Sequence, residues 1–187
     1  MTAAAPAPAC LSRTLLRSLD WYPADHRHMR GVPAEWADWL FDAGSLTQRL
    51  KDTFGEDTFR VRVLSTRAQF PTADEAALLG ITPRHACWTR EVVLVGAQSP
   101  RVLARTLIPQ RFFRGPARQL RLLGTRPLGA ALFRCPDLVR HPMQFTPVPS
   151  LAGMGGGWAR RSVFDYYRCP VLVSEFFMAA CLAPPLS

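Results

Sequence analysis

Between Trp158 and Met178 the chain alternates apolar and polar positions twice around a corner at Arg168-Cys169-Pro170, and this pattern predicts a β-hairpin. In its second arm Val171, Val173, Glu175 and Phe177 share one face, while Leu172, Ser174, Phe176 and Met178 share the other. A carboxylate therefore stands in an apolar row, where it is buried or lines a pocket. An ionised carboxylate in such a place is costly unless a cation answers it, so an arginine on another strand should face the same interior.

Upstream, Trp36, Trp39 and Leu40 fall at helical spacing after Pro33, and Gly44 breaks the pattern. Ser45-Leu46-Thr47-Gln48 has the form of a capping box opening a helix to about Phe54, with Leu46 in a first turn whose N–H groups lack intrahelical partners. Asp57 to Phe70 alternates as a strand. Thr72-x-x-Glu75 is a second capping box, for a helix that stops at Gly80. Ala86 to Val95 and Arg101 to Ile108 predict a hairpin across Gly96 to Pro100. Arg90 shares an apolar row with Trp88, Val92 and Leu94, and Arg105 lies between Leu103 and Leu107, so each is a charge on an apolar face. A structural salt bridge or an exposed edge is the plainer explanation of either arginine taken alone.

Gly115 to Gly124 is a short helix with Pro116 in its first turn and Gly124 at its end, and Thr125 to Gly129 turns into another ending near Phe133 with Leu128 beside free amides. Core packing is the plainer reading of Leu46 and Leu128. Asp137 to Phe145 is a further strand, and the Pro- and Gly-rich Thr146 to Gly157 a mobile loop. Met154-Gly155-Gly156-Gly157 lacks the Gly-Lys-Ser/Thr ending of a phosphate loop. The expectation is an α+β single domain: a six-stranded, mainly antiparallel sheet with short helices packed against it. Residues 1–18 are expected to be a flexible lead-in and residues 19–187 the folded domain.

Composition narrows the function. A chain of 187 residues that is 48% hydrophobic and 20% charged suits one globular core. It contains no apolar run long enough for a membrane span and no recognisable export signal, which points to a cytoplasmic protein with no stable membrane insertion. Five scattered cysteines fit reduced thiols. The His26-Arg27-His28 triplet lacks a third ligand at metal-site spacing. The formal charge of +9, almost all of it arginine, suits phosphate or carboxylate partners. The arginines are dispersed and the aromatics sit in apolar rows, which argues against nucleic acid.

Several words in order over about residues 34 to 180 resemble the chorismate pyruvate-lyase family: Trp39-Leu40 with Ser45-Leu46-Thr47, Trp88-Thr89-Arg90-Glu91, Ala104-Arg105-Thr106-Leu107-Ile108-Pro109, Leu123 to Gly129, Trp158 to Ser162 and Val173 to Phe177. The resemblance implies cleavage of chorismate to 4-hydroxybenzoate and pyruvate, the entry to the ubiquinone ring, without metal or organic cofactor. It places the ligand contacts on Leu46, Arg90, Leu128 and Glu175. Leu46 departs from the family's methionine, but a contact made through the backbone N–H survives that change.

On this reading Arg90 holds the ring carboxylate, and Glu175 accepts from the C4 hydroxyl and is either the base or only an orienting group. Arg105, and less strongly Arg160 or Arg161, would answer the enolpyruvyl carboxylate. Product inhibition, a lid around Leu46 and a monomer are expected. The alternative is a non-catalytic effector-binding domain of the same fold.

Overall fold

The computed structural model describes residues 9–149 and 156–182. Their helices are α1 (Arg13–Ser18), α2 (His26–Met29), α3 (Ala34–Leu40), α4 (Leu46–Phe54), α5 (Ala73–Leu78) and α6 (Leu128–Leu132). The strands are β1 (Tyr22–Pro23), β2 (Arg60–Gln69), β3 (Cys87–Gly96), β4 (Ser99–Pro109), β5 (Val139–Arg140), β6 (Gln144–Val148), β7 (Gly157–Tyr166) and β8 (Cys169–Met178). They form one antiparallel sheet in the order β1-β6-β7-β8-β4-β3-β2, with β5 also on β7. The α+β expectation holds, but with eight strands rather than six. The two extra ones, β1 and β5, are two residues long and too short to leave an alternating pattern.

Both predicted hairpins form, each around a tighter corner than expected. Ala97-Gln98 and Tyr167-Arg168 turn with φ of 47° and 60°, and 49° and 61°, the two-residue left-handed turns that match strand twist. The strand expected over Asp137–Phe145 is instead split. Pro142 has no N–H for a ladder, so β5 ends at Arg140, and β6 starts at Gln144 and runs through Val148, into what was expected to be loop. Residues 150–155 of that loop lie outside the described residues. Pro116–Leu122 forms a 3₁₀ rather than an α-helix.

The Thr72–Glu75 capping box closes on both sides. At Ser45 only half does: the hydroxyl accepts from the Gln48 N–H, but the Gln48 side chain donates to Asp52. Part of the expected lead-in is structured: α1 starts at Arg13, and Leu11, Leu16 and Leu19 pack on the sheet with Val93, Leu103 and Phe176.

The other face of the sheet carries two apolar clusters. One joins α3 and α4 through Trp36, Trp39, Leu40, Leu50 and Phe54 to Val92, Leu94 and Phe177. The second joins the 3₁₀ segment and α6 through Leu120, Leu128 and Leu132 to Ile108, Phe164 and Val173. The gap between them is the chamber described next. Among the described residues no helix is long and apolar enough to cross a membrane.

Candidate active site

The chamber floor is the sheet face bearing Val92, Ala104, Thr106, Val173 and Phe164. Its roof is the start of α4 (Gly44 to Thr47) and α6 with its entry (Pro127 to Gly129, Leu132, Phe133). Four charged side chains reach into it: Arg90, Arg140, Arg160 and Glu175. The cavity volume is about 70 Å³.

Arg90 and Glu175 share this face because alternation and register agree. Arg90 is opposite Thr106, Thr106 is opposite Val173, and Glu175 is two residues beyond Val173. Two strand spacings and one two-residue step separate their Cα atoms by about 12 Å on an ideal sheet. Arg90 is buried, and its Nη2 donates to the carbonyls of Gly124 (2.8 Å) and Arg126 (3.1 Å), tying the turn before α6 to the site. Among the described residues no protein group accepts from its Nε or Nη1. Burial pulls its pKa below the ordinary guanidinium value.

The cation that answers Glu175 is Arg160, its register partner on β7, with Nε to Oε2 at 2.5 Å. This is the arginine on another strand that the carboxylate in an apolar row calls for, and it is not Arg90. Arg160 Nη1 also donates to the carbonyls of Trp39, Leu40 and Asp42 at 3.1, 3.2 and 2.6 Å. It thus caps the C-terminal end of α3, where a cation suits both the free carbonyls and the helix dipole. One guanidinium thereby fixes Glu175 and the approach to α4 together.

Leu46 and Leu128 are the first residues of α4 and α6, buried in the chamber wall, and their N–H groups precede the intrahelical ladder. Both leucines thus pack in the core and line the chamber at once.

Arg105 does not join the site. It points to the opposite face, where Nε binds Glu75 (2.9 Å) and Nη1 binds Glu91 (2.7 Å) and Gln69 (3.2 Å), with all three charged side chains buried. Burial alone would lower its pKa, but the hydrogen bonds and charges of Glu75 and Glu91 raise it. The cause of the misplacement is one residue. Gly96 pairs with Ser99 and Val95 with Pro100, a register that would continue to put Arg90 opposite Arg105, on the same face. A bulge takes up Arg101 between Val95 and Leu94, so Arg90 meets Thr106 instead and Arg105 turns away. Arg161 also lies on the far face, held by Asp74 and by Gln144 (2.8 Å).

Arg140 is the chamber group absent from the residues the sequence singles out. It comes from β5, opposite Phe164, with Nε donating to Ser162 Oγ (3.1 Å) and Nη1 at 3.5 Å from the Ala43 carbonyl. Burial, then repulsion from Arg160, lowers its pKa, partly offset by Glu175 and Asp42. The only sequence signal for it was Val139-Arg140 inside a weak strand.

Among the described residues no group of three or more His, Cys, Asp or Glu is placed to hold a metal. The Cys10, Cys87, Cys135, Cys169 and Cys181 thiols are all unpaired.

Comparison with known proteins gives a consistent picture. A family model described as chorismate lyase matches residues 15–183. A probable chorismate pyruvate-lyase of Marinobacter nauticus is 38% identical over 147 residues, covering 79% of this chain and 78% of the relative. One from Aromatoleum aromaticum is 38% identical over 168 residues, covering 82% and 90%. Among solved structures the effector domain of PhnF from Mycobacterium smegmatis superposes with a TM-score of 0.53 at 14% identity, covering 75% of this chain and 91% of that one. A likeness at that identity is one of fold alone.

Proposed function

The chain belongs to the chorismate lyase family, and we propose that the chamber between Arg90 and Glu175 is where it splits chorismate into 4-hydroxybenzoate and pyruvate. The reaction is that of a carbon–oxygen lyase in ubiquinone ring synthesis. The observation that carries the placement is a buried guanidinium and a chamber-facing carboxylate on the same sheet face, across an apolar floor.

Arg90 offers Nε and Nη1 to the ring carboxylate, in a desolvated place where a charge-assisted bond is strong. The Leu46 and Leu128 amides, at two helix starts in the roof, add donors to the same anion. Glu175, held by Arg160, accepts from the C4 hydroxyl. The substrate is then stretched between donors and an acceptor. The C3–O bond breaks, the C4 hydrogen is lost, and the ring becomes aromatic; the departing enolpyruvyl group takes up a proton to leave as pyruvate. Aromatisation supplies the driving force, so the protein's work is positioning and charge stabilisation.

The cavity volume is about 70 Å³, against ~150 Å³ for a protein cavity that holds benzene. Admission of a ring therefore requires a wall to move, and the α4 and α6 roof is the lid. A product held at both ends behind that lid leaves slowly and inhibits. Exposed Arg60, Arg62 and Arg67 on edge strand β2 oppose strand pairing with a second copy, which supports a monomer. Free cysteines support a reducing, cytoplasmic setting.

Incubation of the purified protein with chorismate, followed by pyruvate release and its inhibition by 4-hydroxybenzoate, tests the reading. Turnover with competitive product inhibition supports it. Binding of 4-hydroxybenzoate without pyruvate release identifies instead an effector-binding domain of the same fold.

A further inference from the structure

We propose that Arg140 is the group that reads the enolpyruvyl carboxylate, so that it separates substrate from product. This rests on the lyase reading above and adds to it a residue for the second anionic end.

Charge balance motivates the assignment. The chamber holds three guanidiniums and one carboxylate. Arg160 is consumed by Glu175 and by the three carbonyls at the end of α3. Asp42, just before the α4 roof, is paired with Arg49 at 3.4 Å. Two cations, Arg90 and Arg140, are left without an ion-pair partner among the described residues, and burial lowers the pKa of each. One buried and one half-buried cation, neither in an ion pair among the described residues, suit a dianion. Chorismate has two carboxylates and 4-hydroxybenzoate has one.

Geometry supports the division of labour. Arg90 enters from β3 and Arg140 from β5, with β4, β8 and β7 between them, so the two guanidiniums approach from opposite sides of the chamber. Each is tied to its own side of the chamber, Arg90 by the Gly124 and Arg126 carbonyls and Arg140 by Ser162 and the Ala43 carbonyl. Ser162 takes Arg140 Nε and the Ala43 carbonyl takes Nη1, which leaves Nη2 of this chamber-lining side chain with no protein acceptor among the described residues. Phe164 beneath it, 5.4 Å from the guanidinium carbon to the ring centroid, keeps the ring side of the chamber apolar.

The test is a comparison of R140Q and R140K with the parent protein, reading kcat/KM for chorismate and the inhibition constant of 4-hydroxybenzoate. R140Q should lose roughly ten- to a hundredfold in kcat/KM, the worth of one charge-assisted hydrogen bond, with product inhibition unchanged and R140K recovering part of the loss. Equal losses for chorismate and product would overturn the proposal, because Arg140 would then hold the ring carboxylate or only support the fold. An unchanged kcat/KM in R140Q would overturn it as well. Turnover by the parent protein keeps this outcome distinct from failure of the lyase reading itself.

Discussion

Arg160 and Glu175 stand directly opposite on β7 and β8, joined Nε to Oε2 at 2.5 Å, with Arg160 buried and Glu175 17% exposed to the chamber. The pairing means that the carboxylate is presented by the arginine instead of being merely tolerated in an apolar row. Its other oxygen, Oε1, has no protein partner among the described residues and is the acceptor that the proposed reading gives to the C4 hydroxyl.

Glu175→Gln keeps the shape of that group and removes its charge. Turnover of chorismate should fall by about a hundredfold or more, while 4-hydroxybenzoate still binds. Steady-state pyruvate release and product titration check this. Near-normal turnover in the variant would take proton transfer away from Glu175 and leave it an orienting role.

Arg105→Met acts on the far face. It leaves Glu75 and Glu91 buried without their cation, which should destabilise the fold by about 3–5 kcal/mol while the folded fraction keeps a KM for chorismate near the parent value. Denaturant melts and substrate titration separate the two effects. A raised KM with unchanged stability would return Arg105 to substrate contact.

These two residues show how much of the site the chain discloses. Glu175, Arg90, Leu46 and Leu128 were legible because period-two alternation and helix-start signals are local, and each residue broke or punctuated its own pattern. Arg105 broke its pattern in the same way and yet faces elsewhere. A single bulge residue at Arg101 reverses the parity of all that follows in β4, and nothing in the local composition marks it. The pairing of Arg160 with Glu175 depends on hairpin register, which the tight Tyr167-Arg168 corner sets; a corner at the expected Arg168-Cys169-Pro170 would have put Val163 opposite Glu175. Arg140 lies on a two-residue strand, too short for any periodicity.

The same logic applies to the fold. Helices with caps, at Pro33, Ser45 and Thr72, were predictable nearly to their ends. The stretch from Asp137 to Val148 was not, because Pro142 divides it into two pieces with different partners, β7 for one and both β7 and β1 for the other.

Gly157→Ala should destabilise the protein by about 1–3 kcal/mol, the range for overpacking. A Cβ at this position would run into the backbone carbonyl of Phe177 on the paired strand, and backbone cannot step aside as a flexible side chain can. Thermal melts of the variant check it, and an unchanged Tm would mean that β7 shifts freely against β8.

Thiol labelling at neutral pH should be led by one position, set by access and not by a lowered pKa. Burial pushes the Cys87, Cys169 and Cys181 thiols up to about 12, and Cys135 is buried in the cluster under α6. Cys10, raised first by partial burial and then by Glu91, is the most accessible and should react first. Mass mapping after brief maleimide treatment, with and without denaturant, gives the count. Rapid native labelling at Cys87 or Cys181 would show the sheet opening on that timescale.

The most direct measurement is a structure of the protein with 4-hydroxybenzoate bound. The account predicts the ring inside the chamber, its carboxylate on Arg90 Nε and Nη1 near the Leu46 and Leu128 amides, and its hydroxyl on Glu175. A ring turned end for end, or one seated anywhere but between those two side chains, would contradict it.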